Sequence, residues 1–182
     1  MSAKSAGYGL IRYTADSVLA QQDALSLFAE IAAAIAGFAA LAGVFADRGD
    51  PAAQAFARLR VVVSSGLLLL LSAVAPIVVS EFGLPQTVTW RICSLAAFGV
   101  NAFIFYQGIS RSAEVDVPLW DWSALAVFWP TEAVCQLSLV CIILNLLPSL
   151  AAPLYLAFLF AALAQTAWIF LELLDAVFQP SS

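Results

Sequence analysis

Five apolar runs separated by short polar breaks divide the chain, at residues 25–46, 61–80, 88–109, 123–147 and 153–177. A helix rises about 1.5 Å per residue and needs about 20 apolar residues to cross a hydrocarbon core of roughly 30 Å. The runs therefore predict an all-α fold, a polytopic transmembrane bundle of five spans. A polar, amphipathic segment over 1–24 precedes it and a tail at 178–182 follows. The breaks carry turn chemistry: DRGDPAA at 47–53, then Glu81, Gly83 and Pro85, the acidic loop SAEVDVPLWD at 112–121, and PSLAAP at 148–153. No run repeats another in length, polar content or flanks, which argues against an inverted-repeat transporter in one chain.

Within the first span Glu30 is the only ionisable side chain. Asp16, Asp23 and Glu30 are seven residues apart, and nothing between Ala15 and Ala24 breaks a helix, so the three acids fall on one line that Gly37 continues. Beside it runs a stripe of small residues, Ala29, Ala33, Ala36, Gly37, Ala40 and Gly43. Small residues at these spacings let helix backbones approach closely, which is how spans associate in lipid, and they predict self-association. Two readings of Glu30 compete. It lines a path for ions, or it pairs with Arg91, which the alternation of spans brings to the same membrane side.

The later spans carry few polar groups. Trp90 and the pair Trp120 and Trp122 read as interfacial anchors, and Pro76 reads as a kink near the end of the second span. Asn101, deep in the third span, reads chiefly as a hydrogen-bonding contact between helices. The fourth span holds Trp129-Pro130-Thr131-Glu132, where proline removes one backbone hydrogen bond beside a carboxyl group. Gln136 lies one turn from Glu132 on the same face. Glu132 stands 15 residues before Leu147 and Gln165 stands 15 after Leu150, so the two are expected at one depth. Glu132, Gln136 and Gln165 are accordingly ion-pathway candidates with Asp16, Asp23 and Glu30; the competing reading is a structural hydrogen bond.

Composition narrows the class. Apolar residues make up 63% and charged residues 10%, with mean hydropathy +0.97, too apolar for a water-soluble core of this length. A net charge of −5 argues against nucleic acid. The chain has no histidine, which removes His-ligated haem, His-containing zinc sites and Ser-His-Asp triads, and no metal site or cofactor is expected. Its only lysine is Lys4, so no span offers a Schiff-base amine. Cys93, Cys135 and Cys141 lie in apolar runs without a CxxC and read as small buried hydrophobes. The first 22 residues lack an apolar h-region, so the first span is expected to act as the insertion signal. Arg48, Arg58, Arg60 and Arg111 fall on one side and Lys4, Arg12 and Arg91 on the other, which favours N-out and C-in.

These features predict a non-enzymatic integral membrane protein whose first spans pack around an axis as a cation-preferring, channel-like homo-oligomer. The alternative is a non-catalytic scaffold or accessory subunit that binds another membrane protein. The run AEIAAAIAGFAALAGVF, a basic approach to the second span and the WR that opens the third resemble bacterial inner-membrane proteins, a resemblance that implies no activity.

Overall fold

The computed structural model describes residues 21–41, 50–112 and 122–178, and among these residues it contains helices and turns but no strand. Among the described residues five α-helices run up and down: α1 (Gln21–Leu41), α2 (Asp50–Ser80), α3 (Gln86–Ser112), α4 (Trp122–Ile143) and α5 (Ala151–Phe178). A 3₁₀ turn, Pro148–Leu150, joins the last two. Four stretches are long and apolar enough to cross a membrane, and Phe128–Ile143 of α4 is a shorter apolar one. The protein is thus an integral membrane helical bundle. Its outer surface is built for lipid, with Phe38, Leu71, Leu137 and Phe160 among many large apolar side chains turned outward.

Local chemistry sets the helix ends. Helix α2 is helical from Asp50 onward among the described residues and includes Pro51, and its apolar stretch, Leu59–Ser80, lies close to the expected span at 61–80. Helix α4 stops at Ile143, short of residue 147. There Asn145 adopts a left-handed conformation (φ 56°), its N–H donates to the Ile142 carbonyl (3.0 Å), and the Leu146 N–H donates to Cys141 (3.0 Å). This pair of bonds is a Schellman cap, for which asparagine is the usual substitute for glycine. Arg91 of α3 adds its Nε–H to the Ile143 carbonyl (3.1 Å), placing a cation at the negative end of α4. Between α2 and α3 the chain turns through Gly83, whose φ of 68° suits glycine.

Helix α5 is the centre of the bundle, packed most extensively on α4 and α2 and to a lesser degree on α3. Tyr155, Phe158 and Leu159 of α5 are fully enclosed, and they join Leu69 and Ala73 of α2, Cys93 and Ala97 of α3, and Cys135 and Leu139 of α4 in one apolar core. Trp90, expected at an interface, points inward onto Tyr155 with ring centroids 5.3 Å apart. At the opposite end Ala39, Val62 and Ile169 form a second, smaller core.

Helix α1 packs on α2 through small residues. Leu25, Ala32 and Ala39, seven apart, are buried along its inner face. A Cβ placed on Gly66 of α2 would stand 3.0 Å from Ala36 Cβ and 3.4 Å from the Ala32 carbonyl oxygen, so hydrogen is the only side chain that fits without movement. Gly66→Val is expected to push α1 outward and to destabilise the fold by about 1–3 kcal/mol, the usual cost of overfilling a packed contact. Thermal unfolding in detergent measures it; an unchanged midpoint would mean that α1 is free to shift.

Candidate polar site within the bundle

Three helices bring their polar residues to one point inside the bundle. Glu132 of α4 is 7% exposed and is the only buried carboxylate among the described residues. Asn101 of α3 donates its amide Nδ2 to Glu132 Oε1 (3.1 Å). Gln136, one turn along α4, donates Nε2 to the same oxygen (2.6 Å). Gln165 of α5 donates Nε2 to Glu132 Oε2 (3.4 Å) and to the Phe128 carbonyl (3.1 Å). The helical pitch carries Gln136 to Glu132, and the tight α4–α5 turn carries Gln165 to the same depth.

The electrostatics of this cluster are one-sided. Every polar partner of Glu132 among the described residues is a neutral amide, and among these residues no cationic side chain meets the carboxyl group. The Oε1 atom of Gln136 is buried without a hydrogen-bond donor. Buried polar atoms are almost always partnered, which makes this oxygen the one unmet demand of the cluster. Pro130 lies just before it and offers no N–H to the Ala126 carbonyl.

The acidic line of α1 is placed differently. Asp23, Glu30 and Gly37 are exposed on the face of α1 opposite Leu25, Ala32 and Ala39, and a Cβ on Gly37 would meet nothing within 4 Å. Of the small-residue stripe, Ala29 and Ala36 are half-buried toward the bundle, while Ala33 and Ala40 are exposed beside Gly37. Asp16 and Gly43 lie outside the described residues. Glu30 and Arg91 do not pair: no ion pair joins them among the described residues, and Arg91 is engaged with Ile143.

A second buried polar contact has no counterpart in the sequence reading. Tyr155 of α5 donates its hydroxyl to the Ser72 carbonyl (2.8 Å). Pro76 of α2 explains why that carbonyl is available. Four residues after Ser72, it has no N–H to donate back, and the hydroxyl takes the vacant place. The signal was present in the sequence as a proline inside a span and a tyrosine in another.

Among the described residues no group of three or more His, Cys, Asp or Glu side chains could hold a metal ion. Cys93 and Cys135 are buried free thiols and Cys141 is half-buried, in keeping with packing roles. No protein-family model matches the chain, and neither any curated protein nor any solved structure matches it.

Proposed function

We propose that the chain is the subunit of an oligomeric, cation-preferring, channel-like assembly, in which copies meet along the outer face of α1. The observation that carries this reading is the outward placement of Glu30, in line with Asp23 and Gly37 on the side of α1 that its own bundle leaves uncovered. A carboxylate turned to hydrocarbon costs up to roughly 3 kcal/mol on insertion scales. Packing the same face against further copies around a hydrated axis removes that cost, and a ring of acids attracts cations. The exposed Ala33, Gly37 and Ala40 supply the smooth surface that close helix approach requires, and head-to-tail contacts along such a face close into a ring where the rotation between copies allows it. The assembly belongs, on this reading, to a bacterial inner membrane, with N-out and C-in on the arginine bias, and it performs no catalysis.

Glu30→Gln tests the reading in liposomes. Flux of potassium and sodium should fall at least several-fold relative to wild type, with the size of the solubilised oligomer unchanged. Equal cation flux in the two proteins overturns it. A second reading, a scaffold or accessory subunit, is favoured by a specific observation: the cluster at Glu132 is closed by amides from the chain's own helices. That reading predicts no flux in either protein and a Glu30→Gln variant that loses its association with other subunits.

A further inference from the structure

We infer that Glu132, Asn101, Gln136 and Gln165 form a binding site within each subunit for a small monovalent cation, for which sodium is the natural probe. The inference is independent of how α1 faces are covered, since all four residues belong to α3, α4 and α5 of one chain. It begins from charge. Glu132 is buried to 7% exposure in a membrane bundle, and its polar partners among the described residues are three neutral amides. Amide donors solvate a carboxylate but do not neutralise it, and an isolated charge in a medium of low dielectric constant is costly.

The amides supply more than donors. A primary amide carries its N–H₂ and C=O groups at nearly interchangeable positions, so a half-turn about the terminal bond exchanges nitrogen for oxygen without changing the side chain's shape. The Gln136 nitrogen stands 2.6 Å from Glu132 Oε1 and its own oxygen is buried with no donor. Turned over, Gln136 would lay that unmet oxygen beside the carboxylate. The same turn at Asn101 and Gln165 would bring their oxygens, in place of nitrogens now 3.1 Å from Oε1 and 3.4 Å from Oε2, to the carboxylate as well. The result is a set of carboxylate and amide oxygens, the donor chemistry that hard cations take. With the ion gone, the amides turn back and donate to the carboxylate, the arrangement seen here, in which only the Gln136 Oε1 atom stays unmet.

Charge and size select the ion class. One carboxylate balances one positive charge, and a divalent ion would leave a net charge buried. The amide tips close directly on the carboxylate at 2.6–3.4 Å, so an ion enters only as these tips draw back, and only a small one without its water shell fits among four such side chains. A proton is the competing occupant, and the experiment separates the two.

The test is the thermal unfolding midpoint of the purified full chain in detergent, with sodium chloride replacing choline chloride at matched ionic strength. Binding to the folded state alone raises the midpoint in a saturable way. We expect a rise of several degrees in wild type, and its loss in both Glu132→Gln and Gln136→Leu. The wild-type comparison decides even where a variant folds poorly. An identical wild-type midpoint in sodium and choline overturns the inference, as does a midpoint that responds to pH but not to sodium, which would assign the site to a proton. A sodium shift retained in both variants overturns it as well.

Discussion

Tyr155→Ala is expected to be the most damaging single substitution in the bundle, with a loss of about 3–5 kcal/mol, the range for removing a large aromatic ring from a packed core. Tyr155 is fully buried near the N-terminal end of α5, with its ring 5.3 Å from that of Trp90 and 5.6 Å from that of Phe158. Its deletion opens a cavity between α2, α3 and α5 and removes the donor to Ser72 at once. Tyr155→Phe separates the two losses. It keeps the ring and forfeits one hydrogen bond, about 1 kcal/mol. Unfolding of both variants in mixed detergent micelles reads the difference. Equal losses would mean that the hydroxyl, and not the ring, holds α5 in place.

The second large effect belongs to Glu132→Leu, measured without sodium in the same micelles. Leucine removes the common acceptor of Asn101, Gln136 and Gln165, so three amide groups from three helices lose a partner together. Hydrogen bonds between membrane helices average about 0.6 kcal/mol each, and a loss of roughly 2 kcal/mol is expected from the set. Glu132→Gln keeps an acceptor oxygen at the same place and should lose less than half as much. If leucine is tolerated as well as glutamine, the cluster does not tie α3, α4 and α5 together. In that case the amides are free to follow other partners.

The number, order and helical nature of the elements were legible because hydrophobicity alone writes them. Ends were less so. The apolar run continues through Leu144, Leu146 and Leu147, and hydrophobicity has no way to mark the end of α4, which Asn145 imposes through its backbone conformation. Pro51 looked like a break, yet it lies within α2. The meeting of Glu132, Gln136 and Gln165 followed from pitch and from equal distances to a short turn. Asn101 was legible only as a contact to some neighbouring helix, because residues 113–121 separate α3 from α4 and no count from a short turn fixes their relative depth. On α1 the acids share a line, but small residues surround the whole helix, and both sides could have served as the inner face. What decides it is Gly66, a complementary gap on α2 that periodicity along α1 cannot reveal. Tyr155 was missed for a related reason: Pro76 was read for the bend it makes rather than for the carbonyl it leaves open.

That pairing ties the histories of two distant positions to each other. Where position 76 loses its proline, the backbone regains its own donor to residue 72, and the hydroxyl at position 155 becomes dispensable. Where the proline stays, phenylalanine at 155 strands a carbonyl between two helices. Among relatives of this chain, proline at 76 and tyrosine at 155 should therefore be inherited and lost together, 79 positions apart in sequence and joined through the one carbonyl of Ser72.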